Sequence, residues 1–215
     1  MHLVLVGPMA VGKSTVAREL AARLGWPVRD SDDDLRAERG FSGRELAATV
    51  GVEALHRWES VHLRRAVAAA GPSIVAAAAS VVDDPLCREA LGDQFVVWLR
   101  ASAETRAARS GGPGGAGTAT GAGTTSGAAD HRRDLGPDRV RALVELADRR
   151  ERGYAAVADL TVDAETAAPA ALADTICAAL PEALRPDRLR SEGRRPDGHR
   201  PGGLPGRTGR GDLRS

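Results

Sequence analysis

The chain carries a single lysine among its thirty basic residues, and that lysine lies in the stretch GPMAVGKST, residues 7–15. Gly7, Gly12, Lys13 and Ser14 fit the spacing G-x-x-x-x-G-K-[ST], in which each residue type has a chemical task. Glycines let the backbone turn so tightly that successive N–H groups point into one concavity that suits a phosphate. A helix opening at Lys13 adds the positive end of its dipole. Lys13 has to reach back between β- and γ-phosphates as a compact, rotatable ammonium, a task the planar fork of Arg does not fill. Ser14 offers a hydroxyl to Mg²⁺. A chain that writes every other cation as Arg and keeps Lys at this position reads as a nucleoside-triphosphate binder.

A second cluster follows about one helix length later, at Asp30, Asp32, Asp33 and Asp34. Side chains alternate along a strand, so Asp30 and Asp32 share a side if strand geometry persists there. One carboxylate near Mg²⁺ and one beside an acceptor hydroxyl are what phosphoryl transfer to an alcohol requires. Asp33 and Asp34 are accounted for by the first turn of the next helix, where the dipole favours acids.

These groups must be held by a frame, and the hydrophobic pattern supplies one. Leu3–Val6 is a short apolar run of the kind found in parallel sheets, and Val16, Leu20 and Leu24 recur at helical spacing until Gly25. WPVRDSD is a second strand, SIVAAAA (73–79) and QFVVWL (94–99) are buried-strand candidates, and ADLTVD (158–163) is the last. Helical patterns run from Leu35 to Ala70, with breaks at 40–42 and at Gly51, over 102–109 with Ser102 as N-cap, over 137–152 and over 169–180. Strands alternating with helices predict a three-layer α/β/α fold on a parallel five-stranded sheet.

Composition sets the boundaries of the reading. Net charge is +1 and only 3% of residues are aromatic, so the core is built from Ala, Val and Leu and no global field points to nucleic acid. Cys87 and Cys177 have no metal-ligand spacing and read as buried small hydrophobes. The N-terminus lacks a signal peptide's pattern, and no apolar run approaches the ~20 residues that cross a bilayer. The expectation is a cytoplasmic monomer acting on a small molecule, without a membrane partner. The domain is expected over 1–182, with a Gly/Ala/Thr-rich insert at 111–130 and an Arg/Gly/Pro-rich tail over 183–215. That tail is the one segment whose charge could attract nucleic acid; a solvated tail is the simpler reading.

Over residues 1–180 the chain resembles the shikimate kinases, small P-loop kinases of the nucleoside-monophosphate-kinase type. The resemblance is carried by LVGPMAVGKST, by DSD after the second strand, by LRAERGFSGRELAATVGVEALHRWES and by DRRERGYAAVADLTVD. It implies that Ala10, Val11, Gly12, Lys13, Ser14 and Thr15 wrap the phosphates of ATP, and that Ser14 with Asp30 holds Mg²⁺. It makes Asp32 the residue that binds the acceptor hydroxyl and takes its proton, and Arg150, four residues before Tyr154, the ligand of the acceptor's carboxylate. Arg132 matches a lid arginine that stabilises the transferring phosphate, within a lid spanning about 109–136. Arg109 matches an adenine-stacking arginine, and Glu59 an acid that orients the substrate-site arginines.

Three departures from the family matter, two of them on the acceptor side. His56 stands where the family has an arginine that binds the substrate carboxylate, Ala78-Ala79-Ser80 replaces a Gly-Gly-Gly turn, and the insert lengthens the lid. Methyl groups at 78–79 are expected to crowd a flat ring bound against that turn. The resemblance implies transfer from ATP to shikimate, giving shikimate 3-phosphate on the route to aromatic amino acids. Two alternatives stay open: the same chemistry on another polyol-type acceptor, and a nucleotide-binding regulatory protein with a degraded acceptor site.

Overall fold

Each short apolar run becomes a strand. In the computed structural model, which describes residues 1–111 and 137–185, β1 (Leu3–Val6), β2 (Val28–Asp30), β3 (Ile74–Ala76), β4 (Phe95–Arg100) and β5 (Leu160–Asp163) form one sheet. All pairings are parallel, in the order β2-β3-β1-β4-β5. The helices are α1 (Lys13–Leu24), α2 (Ser31–Arg39), α3 (Gly43–Val50), α4 (Val52–Val67), α5 (Pro85–Leu91), α6 (Ala103–Gly111), α7 (Pro137–Val157) and α8 (Pro169–Ala178), with short 3₁₀ turns at Val81–Asp83 and Glu182–Leu184.

Alternation along the strands divides the core into two. Leu3, Leu5, Ile74, Val97 and Leu99 pack against Val16 and Leu20 of α1 and Leu172 and Ile176 of α8. Val4, Val6, Val75, Val96 and Trp98 face Leu63 of α4, Cys87 and Leu91 of α5, and Tyr154 of α7. Three layers result, as the βα alternation predicts. Trp98 and Trp26 serve this packing, and Trp58 leans on a small cluster of Leu35, Leu46 and Leu55. Among the described residues no helix is long and apolar enough to cross a membrane.

The elements depart from the sequence reading in physically legible ways. Asp30 ends β2, and its side chain accepts from the N–H groups of Asp32 and Asp33, so the chain enters α2 at once rather than at Leu35. Strand geometry therefore does not persist to Asp32. The third strand is shorter than SIVAAAA, because the alanines after Ala76 leave the sheet toward the 81–83 turn. Helix α7 continues to Val157, five residues past its expected end. Helix α5 is an element that periodicity does not predict; its sequence signal is Asp84-Pro85, an N-cap accepting from the Leu86 N–H followed by proline at the first helical position. Cys87 is buried as expected, whereas Cys177 is only half-buried against the first core.

Candidate active site

The loop between β1 and α1 is shaped by two backbone demands. Gly7 has φ +142°, and a Cβ there would stand 2.5 Å from the carbonyl oxygen of Leu99, so the loop passes directly against β4. Ala10 adopts a left-handed φ of +62°, uncommon for a residue with a side chain. Gly12 precedes α1 without any side-chain cap, and the first turn of α1 holds no acid. Helices α2 and α3 differ: Asp30 caps one, and a Ser42–Glu45 capping box closes the other. Helices α4 and α8 also start without a side-chain cap, so it is the glycine loop ahead of α1 that suits its first N–H groups, at Lys13, Ser14 and Thr15, to an external anion.

Lys13 lies under this loop, its Nζ donating to the carbonyls of Gly7 and Pro8 at 2.9 Å each. Burial pushes its ammonium down to about 8, against the opposing pull of Asp32, Asp30 and Glu59. Arg106 of α6 adds to the downward shift, a nearby cation that sequence reasoning did not single out.

Asp30 is buried and splits its two oxygens between tasks: Oδ1 caps α2, while Oδ2 is buried and has no hydrogen-bond partner among the described residues. An unpartnered carboxylate oxygen beside a phosphate loop suits a cation. Among the described residues no group of three or more His, Cys, Asp or Glu forms a metal cage. One carboxylate, the Ser14 hydroxyl and phosphate oxygens are the sparse set that Mg²⁺ accepts. Asp32 lies in the first turn of α2, and crowding by protein together with the Asp30 charge raises its carboxyl above the ordinary value while Lys13 opposes. Asp34, assigned from sequence to the helix dipole, has a larger role: its Oδ2 accepts from Arg29 at 2.8 Å and meets Nε2 of buried His62 at 2.7 Å.

The other wall of the cleft comes from the 78–83 segment, α4 and α7. Gly153 allows this approach, since a Cβ there would lie 3.0 Å from Cβ of Val82. Tyr154 then donates from its hydroxyl to the carbonyl of Ala79 at 2.7 Å. Ala78 is buried among core residues, so its methyl points away from the crowding expected of it. Ser80 is buried and donates to Oε2 of Glu59. Glu59 therefore holds the turn, and among the described residues it makes no hydrogen bond to an arginine of the kind the resemblance implies. Burial raises its carboxyl, and the Ser80 hydrogen bond works against that rise.

Arg150 is spoken for. Its Nη2 and Nε lie 2.7 Å and 2.8 Å from Oδ2 of Asp83, with both side chains mostly buried. His56 is near enough for Arg150 to depress its pKa, after burial as the main cause, so the imidazole is held neutral. His56, Ser80 and Asp83 line a cavity of about 370 Å³ together with Arg57, Ser60, Val61, Arg64 and Asp84.

On the far side of the loop, Arg109 donates to the carbonyls of Val11 at 3.1 Å and Ala164 at 2.7 Å, fastening α6 to the phosphate loop and to the segment after β5. Glu165 in that segment accepts from the N–H and hydroxyl of Ser102 and from Thr105, bonds that hold its carboxyl down at about 2. Ser102 also caps α6, as its sequence position suggests. Arg132 and the insert lie outside the described residues.

The phosphate loop, Asp30, Asp32, Glu59, His56 and Arg150 thus converge at the carboxyl ends of the strands, where an open α/β sheet places its ligands. A family model described as shikimate kinase matches residues 9–181. The shikimate kinase of Symbiobacterium thermophilum is 36% identical over 165 residues, covering 75% of this chain and 86% of that protein. That of Thioalkalivibrio sulfidiphilus is 32% identical, covering 76% and 78%. A solved shikimate kinase from Acinetobacter baumannii, in complex with shikimate, superposes with a TM-score of 0.63 over 90% of this chain and 94% of its own, at 23% identity. An uncapped loop around one lysine, an acidic pair beyond the second strand and these relatives give one answer: the protein is a small-molecule kinase and belongs to the shikimate kinase family.

Proposed function

We propose that the protein transfers the γ-phosphate of ATP to a hydroxyl of shikimate, giving shikimate 3-phosphate. The observation that carries this reading is that Lys13, under an uncapped helix start, feels the charges of Asp32, Asp30 and Glu59 together. A donor-side cation and acceptor-side carboxylates share one cleft, as in-line transfer between two oxygens demands. The N–H groups of residues 10–15 hold the phosphates, and Lys13 follows the charge that builds on the β–γ bridge. Mg²⁺ held by Ser14 and the free oxygen of Asp30 would neutralise phosphate charge. Asp32 accepts the proton of the attacking hydroxyl, a task for which its raised pKa makes it a stronger base. Arg150 faces the acceptor's carboxylate, and Arg109 borders the adenine. Arg132 is assigned to the transferring phosphate on the resemblance alone.

ADP release measured with shikimate and a panel of hydroxylated acids tests this. Shikimate should accelerate turnover above basal ATP hydrolysis, and Asp32→Asn should lower kcat by roughly 10²- to 10⁴-fold, the usual worth of a positioned base. No acceleration by shikimate with acceleration by another polyol would replace the acceptor; none by any acceptor would favour a nucleotide-binding regulator.

A further inference from the structure

An anionic acceptor needs a cation at the end of the cleft away from ATP. Lys13 is committed to phosphate, and His56 is kept neutral by burial and by Arg150. Arg57 and Arg64 of α4 also line that cavity, but Arg57 is exposed and Arg64 donates from Nε to the Ser60 carbonyl at 3.3 Å. The cation offered by α7 is Arg150, and two of its nitrogens already contact Oδ2 of Asp83. This is a charge-assisted pair of short bonds between side chains only 19% and 24% exposed, so solvent does little to loosen it. Arg149 reaches the other oxygen of Asp83 only at 3.9 Å and is mostly exposed, too weak a contact to take Arg150's place. Asp83 is held in position by the backbone: its N–H donates to the Ser80 carbonyl at 2.9 Å within the 81–83 turn, and Gly153 lets that turn touch α7. A carboxylate of the protein thus occupies the guanidinium that a carboxylate of the acceptor would need.

We propose that Asp83 sets the acceptor's charge preference: as the built-in counter-ion of Arg150 it competes with the acceptor's carboxylate, so the site gains little from an acid over its uncharged analogue. The proposal rests on the reading that shikimate enters this cleft with its carboxylate toward Arg150. Asp83 acts through Arg150 and is a positioning residue. To engage the acid, Arg150 must leave Asp83 beside Asp84 and the acceptor's own charge, and this exchange of one carboxylate for another yields little net affinity. An uncharged acceptor leaves the pair intact and uses the hydroxyl-binding groups alone.

The test compares shikimate with its methyl ester, which keeps the hydroxyls and removes the charge. Calorimetric titration in the presence of Mg·ADP is carried out on the full chain and on Asp83→Asn and Asp83→Ser, alongside KM and kcat. The wild type should bind acid and ester within about threefold of each other. Either variant should favour the acid by roughly tenfold or more, through a fall in KM for shikimate while kcat changes much less. A wild type that already favours the acid tenfold overturns the proposal without any variant, and so does an acid-to-ester ratio that the substitutions leave unchanged. Failure of the functional reading looks different: neither wild type nor variant phosphorylates shikimate, whatever the binding ratio. If neither ligand binds any of the three proteins, both fall.

Discussion

Lys13 holds two carbonyls of its own loop at 2.9 Å each, and burial keeps its ammonium near 8 rather than at the ordinary lysine value. Because the lowered pKa belongs to the nucleotide-free cleft, a bound triphosphate must raise it again. Below pH about 8 the lysine is already charged and nucleotide affinity should be flat; above it the affinity should fall by up to tenfold per pH unit. Calorimetry at pH 8.5 in buffers of different ionisation enthalpy should detect proton uptake on binding, and no uptake would mean that Lys13 stays charged in the free protein. This residue was legible in the sequence because its task excludes every other residue type. Asp30 was legible as a carboxylate at a strand end, but not the division of its oxygens between a helix cap and an open position. Arg150 was legible only through the family resemblance. Its pairing with Asp83 was not, since the partners lie 67 residues apart and meet only because two elements touch.

At the scale of elements, that touch depends on the absence of a side chain. Gly153 lies inside α7, where glycine is ordinarily worse than alanine by about 1 kcal/mol. A Cβ would meet Val82 at 3.0 Å, so Gly153→Ala should bring no such gain and should instead lower stability by roughly 1 kcal/mol. Paired in a double-mutant cycle with Val82→Gly, which removes both the Cβ and the Cγ2 that the new methyl would meet, it should give a coupling of about 1 kcal/mol, and additive effects would mean that α7 can shift freely. A second joint holds α6 to the loop after β5 through Glu165. Its folded pKa, about 2, lies below the ordinary glutamate value of 4.5, so the joint is whole above pH about 4.5 and weakens as pH falls toward 2. The Ser102 amide resonance should titrate in that window and lose the step in Glu165→Gln. Strands and long helices were readable from period alone; α5, only seven residues long, carries too few turns to display one.

For the whole molecule, the question is where the fold ends. The apolar pattern fades near residue 180, the sequence reading places the boundary at 182, and the family model stops at 181. The packing continues further. A 3₁₀ turn over Glu182–Leu184 returns Leu184 to the core beneath α1 and α8, where it is 1% exposed. Arg185 donates its Nε toward the Leu180 carbonyl at 3.4 Å, which ties the turn back to the end of α8. A lone leucine among Pro, Glu and Arg gives no periodic signal, so its burial could be learned only from the fold. Removing a fully buried leucine from such a site costs about 2–5 kcal/mol, a large share of the ~5–15 kcal/mol that holds a domain together. A chain ending at Glu182 should therefore denature at clearly lower urea concentration than one ending at Arg185. Leu184→Ala in the longer chain should reproduce most of the difference. If the two chains unfold together and the point substitution is silent, Leu184 is not part of the core and the domain ends where the sequence pattern does.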